Sequence, residues 1–308
     1  MLATSTSALP SGEGWSYEFK WDGVRALVDV TDAGVRIWSR LGNDVTTAYP
    51  EIAAQLADAG DALFDGEIVA FVDGRPSFER LQARMHLRAR ADVARMAAEA
   101  PVTFVVFDLL RRYGVELTAR PFPERRATLE RVVAEQDGWT LSPTFDDGSA
   151  TLDVSREHGL EGVVAKRLDS VYRPGTRSKD WRKLRFVRSG DFVVVGWEGA
   201  RETPDTLSSL VLAVADPAAP GGFRFAGKAG SGLSGRESSE LKRRLTARRG
   251  APVTGVPAPI GGRRVHWVEP TVVVEVEFAA WTGDRRLRHP VFHRVRDDKP
   301  VEEARGDE

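Results

Sequence analysis

Residues 17–40 read YEFKWDGVRALVDVTDAGVRIWSR, and this stretch carries two patterns of side chains. In residues 17–22 aromatic and charged residues alternate, so a strand would place Lys20 and the carboxylates on either side of it on one face. Residues 24–40 alternate on both sides of an Asp-Ala-Gly turn, which predicts a β-hairpin. Lys20 has two interpretations at this point: an ordinary charge on an amphipathic strand, or a nucleophile held in a polar pocket.

The composition narrows the class of protein. The chain has 308 residues, 42% of them hydrophobic, which is enough for one large or two ordinary domains, and we expect two. It has no cysteine, which excludes disulfides, thiolate zinc sites and thiol nucleophiles. The formal net charge of −1 gives no overall basic field, although local basic patches remain compatible with a nucleic-acid partner. Without a membrane-length apolar stretch or a signal peptide, we expect a cytoplasmic protein.

Lysine is scarce in this chain. Arginine is effectively always protonated, whereas lysine can lose its proton and attack an electrophile. Each lysine is therefore a candidate functional residue. The lysines are Lys20, Lys166, Lys179, Lys183, Lys228, Lys242 and Lys299.

The first 188 residues mix strands with helices. A second hairpin, residues 62–78, turns at Asp73-Gly74, and the apolar run of residues 102–110 predicts a buried strand. Helices are predicted over residues 50–59, as a long surface helix over residues 78–100, and after Pro123. Residues 161–167 predict a short strand. Residues 172–185 are rich in basic side chains and fit neither period, which is typical of a solvated loop or of a segment that contacts phosphate.

The rest of the chain predicts a small barrel. Five short strands and one basic helix, residues 236–249, suit a Greek-key barrel such as the oligonucleotide-binding (OB) fold. We therefore expect domains over residues 1–188 and 189–308. Residues 230–235, GSGLSG, match a dinucleotide-binding pattern, but the βαβ unit that such a site needs does not follow, so we interpret them as a glycine turn.

Charged residues recur in a fixed order at predicted strand ends. Each short motif is weak alone, whereas the ordered set is specific. The motifs are ExKxDGxR (18–25), SR (39–40), DGE (65–67), FD (107–108), EGVVAK (161–166), WRKLR (181–185) and RDDK (296–299).

This ordered set resembles the covalent nucleotidyltransferase superfamily, and within it the ATP-dependent DNA ligases of the bacterial LigC/LigD group. The resemblance spans nearly the whole chain. It implies an α+β architecture: a nucleotidyltransferase (adenylation) domain of ATP-grasp-like antiparallel sheets with helices, followed by a small β-barrel OB-fold domain. It also implies that Lys20 attacks the α-phosphate of ATP to form lysyl-AMP.

The resemblance assigns residues to the nucleoside part of ATP. Glu18 matches the position beside adenine, and Phe107 and Val164 would sandwich the base. Glu67 matches a glutamate that contacts the ribose. Taken singly, Phe107 is also typical of a core position and Glu67 of a surface ion pair.

The resemblance also assigns basic residues to the phosphates of ATP and DNA. Lys183 and Arg185 match the two basic positions that hold the α-phosphate, although the family usually has a lysine where Arg185 stands, which changes the donor geometry. Arg25 and Arg40 match arginines that contact the nucleotide and the 5′-phosphate of DNA. Lys166 is a further nucleotide-binding position.

The last motif and the metal complete the assignments. Arg296, Asp298 and Lys299 match a motif that orients pyrophosphate in the first step. Glu161 matches the acidic residue associated with Mg²⁺ or Mn²⁺, and Glu67 is a second candidate ligand. The histidines show no clustered ligand spacing, and we assign them no metal; they are His86, His158, His266, His289 and His293.

The protonation chemistry of lysine gives an argument for these roles that does not depend on the resemblance. A lysine pKa near 10.4 leaves about one part in 2500 as the free amine at pH 7. Flanking carboxylates favour the ammonium form, whereas nearby cations, namely Mg²⁺, Lys183, Lys166 and Arg40, favour the amine. We therefore expect the carboxylates to position Lys20 and the cations to lower its pKa.

The resemblance implies a substrate and partners. The substrate would be nicked or broken duplex DNA, gripped electrostatically by basic surfaces such as the helix of residues 236–249. A Ku-type end-binding protein, a LigD-type polymerase, a monomeric state and a place at the nucleoid are further expectations. Two alternatives remain: an RNA ligase or mRNA-capping-type nucleotidyltransferase, which shares the lysine chemistry, and a nick-binding module without catalytic activity.

Overall fold

The chain folds into two compact units, Met1–Phe186 and Val187–Glu308. The structure, a computed structural model, describes residues 1–85, 87, 89–134, 139–200, 202–253, 255–256 and 265–306. In the described part, no helix is both long and apolar enough to cross a membrane.

The first unit is an α+β assembly of two sheets. Its strands are β1 (Leu2–Ser5), β2 (Trp15–Lys20), β3 (Val24–Thr31), β4 (Gly34–Ser39), β5 (Ala62–Val72), β6 (Arg75–Pro76), β7 (Val102–Arg112), β8 (Val115–Glu116), β9 (Thr140–Leu141), β10 (Thr144–Phe145), β11 (Gly162–Arg167) and β12 (Arg177–Arg185). Its helices are α1 (Pro50–Gln55), α2 (Phe78–Gln82), α3 (Arg90–Glu99), α4 (Phe122–Ala134) and α5 (Gly148–Glu157), with a 3₁₀ turn at Thr46–Ala48.

Sheet A has the strand order β1-β12-β11-β2-β10, and sheet B has the central order β4-β3-β5-β7-β8. Both predicted hairpins form: β3 pairs with β4, and β5 pairs with β6 through Asp73 and Gly74, whose φ angles of 49° and 77° suit a tight hairpin turn. Helices α1, α2 and α4 pack on sheet B, and α5 packs on sheet A. A small apolar cluster that includes Tyr172, Trp181 and Phe107 lies between the two sheets.

Two predictions for the first unit were wrong. The described residues of 78–100 form α2 and α3 rather than one surface helix, because Arg84 between them is fully buried and binds backbone carbonyls and Glu51. The end of the segment 172–185 is a strand, β12, rather than a loop. The alternation of inward and outward residues in β12 is hard to see in the sequence because the strand carries many charged residues. Its pairing with β1 is also irregular, with a register shift.

The described residues of the second unit form a five-stranded barrel with one α-helix. Its elements are β13 (Arg188–Gly199), β14 (Leu207–Ala215), β15 (Phe223–Ala229), α6 (Gly235–Arg244), β16 (Val265–Phe278), β17 (Ala280–Trp281), β18 (Leu287–Arg288) and β19 (Val291–Val295), with 3₁₀ turns at Pro220–Gly222 and Val301–Glu303. The order β15-β14-β13-β16-β19 is closed by a bridge between Ser231 and Val291. Five strands with a helix between the third and the fourth are typical of the predicted OB fold.

The glycine-rich stretch before α6 closes the barrel and starts the helix. Ser231 bridges β19, and Ser234 caps α6 in a capping box with Glu237. The chain then returns in β16 antiparallel to β13, so no βαβ unit forms and the glycine-turn interpretation is confirmed. Helix α6 ends at Arg244, five residues before the predicted end, because Ala247 already bridges Val268.

Candidate active site

Lys20 lies at the end of β2 on the face of sheet A that carries most of the predicted site residues. Residues opposite one another on antiparallel strands, and residues two apart on one strand, share a face. Pairing between β2, β11 and β12 therefore builds three rows. The rows are Lys20–Gly162–Arg185, Glu18–Val164–Lys183 and Ser16–Lys166–Trp181.

Glu161 connects the first row. Its two carboxylate oxygens contact different cations: Oε2 accepts a hydrogen bond from Lys20 Nζ, and Oε1 lies 2.9 Å from Arg185 Nε. Gly162, the middle residue of the row, has no side chain, so the Glu161 carboxylate has room to lie between Lys20 and Arg185. Its φ of +150° and its closeness to β12 both require glycine, because a Cβ atom there would lie 2.0 Å from the Leu184 carbonyl oxygen.

Gly162→Ala is therefore expected to spread β11 and β12 beside Lys20. We expect a loss of about 1–3 kcal/mol in the free energy of unfolding and a clear loss of any reaction at Lys20, because Glu161 precedes the displaced residue. Gly175→Ala is the matched control, since Gly175 also has a positive φ, +69°, but nothing within 4 Å of its Cβ position. Equal effects of the two substitutions, measured by urea unfolding and activity, would contradict this account.

Cations crowd the rim of the same face. Partial burial, together with the charges of Arg185, Lys20 and Arg177, lowers the pKa of Lys183 to about 8. A fold that holds several cations this close beside the carboxylate of Glu161 is suited to an anionic ligand. Phosphate groups are anions of this kind, and their binding would favour the charged form of Lys183.

Glu18 and Lys166 form a buried ion pair deeper on the face. Glu18 Oε1 lies 2.6 Å from Lys166 Nζ, and their side chains are only 3% and 2% exposed. Lys166 Nζ also lies 4.5–5.0 Å from the ring centroids of Phe107, Phe122 and Trp181. Burial raises the pKa of Glu18 and lowers the pKa of Lys166, while each charge opposes the shift of the other. The structure thus pairs Lys166 with Glu18 rather than placing it in contact with Lys20.

Sheet B contributes Arg25, which is fixed from two sides. Its Nε and Nη2 atoms donate to Asp65 at 2.8 and 2.5 Å, and Tyr172 donates to the same carboxylate at 2.8 Å. The guanidinium lies 5.4 Å from the Phe107 ring and 5.6 Å from the Trp181 ring. Asp65 is completely buried, so Arg25 is held by a carboxylate that solvent cannot reach.

Phe107 occupies an irregular point of β7. The β5–β7 ladder pairs Asp65 with Asp108 but Gly66 with Val106, which leaves Phe107 as the additional residue of a bulge. Bulges change the direction of a side chain and are common beside active sites. The bulge and the aromatic contacts place Phe107 between the two sheets, together with Trp181.

Glu67 lies opposite Arg25 in the β3–β5 ladder. The turn after Lys20 packs against it, because a Cβ atom on Gly23 would lie 2.8 Å from Glu67 Cγ and 2.2 Å from the Ile68 carbonyl oxygen. Glycine at position 23 thus lets the chain at the end of β2 approach β5, the strand that carries the DGE motif. Burial raises the pKa of Glu67 to about 8, while Lys20 and Arg25 oppose the shift and Glu161 adds to it.

Glu67→Gln is expected to stabilise the protein in a pH-dependent way. Because the folded pKa lies above the ordinary 4.5, the folded state binds more protons between pH 4.5 and 8, and the parent loses stability as pH rises through that window. Glutamine carries no charge to bury, so we expect a gain of about 1–3 kcal/mol at pH 8 that disappears toward pH 4.5. Thermal unfolding across pH, beside the exposed Glu116→Gln, tests this. A constant difference would contradict it.

Arg40 stands apart from these contacts. It follows β4 in an exposed turn and makes no hydrogen bond or ion pair with any described residue. The turn itself is fixed by hydrogen bonds from Gly42 N to Ser39 O at 2.8 Å and from Ser39 N to Asn43 O at 2.9 Å. Arg40 is thus an exposed cation on a fixed turn.

The RDDK residues belong to the second unit. Arg296 donates to both oxygens of Asp298, at 2.9 and 2.8 Å, and to Asp191 Oδ1 at 2.9 Å. Lys299 donates to Asp191 Oδ2 at 2.5 Å. The hydrogen bond to Arg296 lowers the pKa of Asp298 below its ordinary value.

Three acidic or hydroxyl groups were missed from the sequence as parts of these clusters. Asp65 appeared only as a letter of the DGE motif, and Tyr172 and Asp191 had no assigned role. Asp65 and Tyr172 are 107 residues apart, and Asp191 and Arg296 are 105 apart. A buried polar residue requires a partner, but the sequence does not name the partner at such separations.

The carboxylates present suit a metal only in part. Among the described residues, no group of three or more His, Cys, Asp or Glu side chains is placed to hold a metal ion, and His86 lies outside those residues. Glu161 and Glu67 are close enough for the charge of Glu161 to act on Glu67. One or two carboxylates, completed by substrate phosphates and water, are the usual donors for Mg²⁺. The residues thus fit a divalent ion that binds together with a phosphate ligand.

Family comparisons cover both units. A family model described as "ATP dependent DNA ligase domain" matches residues 1–185, and one described as "ATP dependent DNA ligase C terminal region" matches residues 203–299. The multifunctional non-homologous end joining DNA repair protein LigD of Mycobacterium tuberculosis is 36% identical over 99% of this chain and 39% of its own length. DNA ligase C2 of Mycolicibacterium smegmatis is 37% identical over 70% of this chain and 61% of its own length. The chain thus spans about two fifths of the length of the LigD relatives.

Solved structures agree with this result. The ligase domain of Mycobacterium tuberculosis LigD is 34% identical, with a TM-score of 0.54, and the match covers 98% of this chain and 97% of that one. A mycobacterial DNA ligase D complexed with ATP and MES is 32% identical, with a TM-score of 0.55 and the same coverage. A Lig E DNA ligase, 20% identical with a TM-score of 0.63, shares the fold.

Proposed function

Because the chain belongs to the ATP-dependent DNA ligase family, we propose that it joins 5′-phosphate and 3′-hydroxyl ends in duplex DNA through a lysyl-AMP on Lys20. The observation that carries this proposal is the first row of sheet A. There the ammonium of Lys20 is held by Glu161 beside Arg185, with the cation of Lys183 in the next row. This arrangement suits a nucleophile that faces a phosphate.

In the first step, the free amine of Lys20 attacks the α-phosphorus of ATP. A nitrogen–phosphorus bond forms, the bond to the β-phosphate breaks, and pyrophosphate leaves. Glu161 accepts a hydrogen bond from Lys20 Nζ and can therefore orient the lone pair of the amine once the proton is lost. Lys183 and Arg185 would stabilise the charge that develops on the α-phosphate oxygens.

The remaining steps use the same lysine as a leaving group. An oxygen of the DNA 5′-phosphate attacks the lysyl-AMP, and AMP passes to the DNA end while Lys20 is released. The 3′-hydroxyl then attacks the activated 5′-phosphate, the strand is sealed and AMP leaves. Arg25 and the exposed Arg40 are the proposed contacts for the nucleotide and the DNA phosphate, because arginine binds phosphate with two donors at once.

The nucleoside would bind between the two sheets. Phe107, turned by its bulge, and Val164, in the middle row of sheet A, are the proposed walls for adenine, with Glu18 beside the base. Lys166 would act indirectly, by neutralising Glu18 and contacting the Phe107 ring. Glu67 is the proposed ribose contact. A carboxyl with a pKa of about 8 is mostly protonated near neutral pH and can donate as well as accept.

Mg²⁺ or Mn²⁺ would be held by Glu161, with Glu67 as a second candidate, together with ATP phosphates. When bound, the ion would supply positive charge at the phosphates.

We further propose a role in DNA repair by end joining. The support is the name of the LigD relatives, which are described as multifunctional non-homologous end joining proteins. A Ku-type end-binding protein and a LigD-type polymerase are the proposed partners, with broken duplex DNA at the nucleoid as the site of action. Basic side chains of α6 are a proposed backbone contact, although Arg244 is already paired with Asp297 and Lys242 with the Asp205 carbonyl.

Nick sealing tests the proposal directly. The protein is incubated with a labelled duplex that carries one 5′-phosphorylated nick, with ATP or GTP and with Mg²⁺ or Mn²⁺. We expect sealed product with ATP on DNA, and none when the nick carries a 5′-hydroxyl. A preference for GTP or for RNA ends would favour the RNA ligase or capping alternative. Binding of the nick without any product, by a protein shown to be folded, would favour the non-catalytic module.

A further inference from the structure

Asp191 holds both cations of the RDDK segment. It lies in β13 with a side chain 9% exposed, and its two carboxylate oxygens are used separately. Oδ1 accepts from Arg296 Nη1 at 2.9 Å, and Oδ2 accepts from Lys299 Nζ at 2.5 Å. One nearly buried carboxylate thus fixes two side chains that are 105 and 108 residues further along the chain.

The backbone of Asp191 fixes the segment that follows RDDK. Its N–H donates to the Gly306 carbonyl at 3.1 Å, and the Gly306 N–H donates back at 3.0 Å. Ala215 in β14 adds a hydrogen bond of 2.8 Å to the Ala304 carbonyl. These contacts are main-chain contacts, so a change in the Asp191 side chain leaves them available and should not release the segment.

The other acids near the segment do not replace Asp191. Asp297 pairs with Arg244, and Asp298 pairs with Arg296. Among the described residues, Asp191 is the sole hydrogen-bond partner of the Lys299 ammonium. Without Asp191, two cations three residues apart would repel each other, and Lys299 would have no fixed direction.

The held cations still have donors to offer. A guanidinium has five N–H donors and an ammonium has three, and the contacts above use three and one of them. The side chains of Arg296 and Lys299 are 19% and 27% exposed. An anion can therefore bind both without displacing Asp191, so the carboxylate acts as a support rather than as a competitor.

We infer that Asp191 is a positioning residue that aims Arg296 and Lys299 at a pyrophosphate-type anion. This inference rests on the proposed function, in which these two cations serve the first step. Asp191 is then needed for lysyl-AMP formation and for its reversal by pyrophosphate. Transfer of AMP to DNA and sealing of the strand contain no pyrophosphate, and they should not depend on Asp191.

Asp191→Asn tests this division. Asparagine keeps the shape of the side chain and removes the charge that both cations need. We expect the rate of lysyl-AMP formation to fall about 10- to 100-fold, and pyrophosphate-driven release of AMP to fall by the same factor. Single-turnover sealing of a nicked duplex by preformed lysyl-AMP enzyme should remain at the parent rate.

The matched control is Glu198→Gln. Glu198 also lies in β13, is 5% exposed and pairs with a lysine, Lys228, at 2.5 Å, but it has no contact with RDDK. Glu198→Gln should change stability without slowing lysyl-AMP formation more than sealing. If Asp191→Asn slows adenylation and sealing equally, as a damaged fold would, or speeds adenylation, the inference is wrong. A folded parent that forms no lysyl-AMP would instead contradict the proposed function, and with it this inference.

Discussion

Lys20→Ala is expected to abolish lysyl-AMP formation and nick sealing with ATP. The amine is the atom that forms the bond to phosphorus, and loss of a covalent nucleophile lowers rates by at least about 10³-fold. Glu161 would keep Arg185 as a partner, at 2.9 Å, so the local fold should survive. The measurement is transfer of label from α-labelled ATP to the protein, followed by gel analysis of sealed DNA.

Two further variants separate the nucleophile from a simple positive charge. Lys20→Arg keeps the charge and the Glu161 pair, but arginine stays protonated and cannot attack, so it should be as inactive as Lys20→Ala. Lys179→Ala removes an exposed lysine of strand β12, in the same sheet, and should retain activity. Substantial labelling of the arginine variant would show that Lys20 is not the nucleophile.

Asp65→Ala is expected to have the largest effect on stability. Asp65 is fully buried and accepts two hydrogen bonds from Arg25 and one from Tyr172. Removal leaves the Arg25 guanidinium, whose side chain is 20% exposed, without its carboxylate partner, which costs up to about 3–5 kcal/mol. We also expect adenylation or DNA transfer to fail in the fraction that still folds, because Arg25 loses its fixed direction over Phe107 and Trp181.

Asp29→Ala provides the contrast in the same sheet. Asp29 lies in β3, as Arg25 does, and pairs with Arg111 at 2.7 Å. The Asp29 side chain is 28% exposed. Arg111 also keeps Asp61 as a partner. Loss of such a pair costs less than about 1 kcal/mol. Similar losses for the two variants, measured by urea unfolding, would show that burial of Asp65 adds nothing to the strength of its pair with Arg25.

The sequence was sufficient for the framework of the site. The alternation around Lys20, the two hairpins, the EGVVAK strand and the five-stranded barrel are local patterns, and all of them form as predicted. The α+β fold with a separate barrel is confirmed, as is membership of the ligase family. Local sequence patterns decide these features. Alternation marks strands such as β3, in which one face is more buried than the other, and a continuous apolar run marks strands such as β13, in which both faces are buried.

The sequence was insufficient where a residue depends on a distant partner. Arg84 interrupts the predicted helix because its acceptors come from other segments of the fold. Strand β12 shows no clear period because charged residues occupy both of its faces and the buried Trp181 shares a face with Lys183 and Arg185. Lys166 could not be separated from the lysines near the phosphate, because only the structure shows its pair with Glu18. The roles of the individual site residues remain predictions that the variants above address.

Label transfer from ATP tests the central claim most directly. The purified protein, freed of bound AMP by pyrophosphate, is incubated with α-labelled ATP and a divalent metal, and the denatured chain is resolved on a gel. The account predicts label on the parent chain and none on Lys20→Ala. It also predicts that a 5′-phosphorylated nicked duplex discharges the label, with sealed DNA and AMP as products. A folded parent that never acquires label would contradict the account.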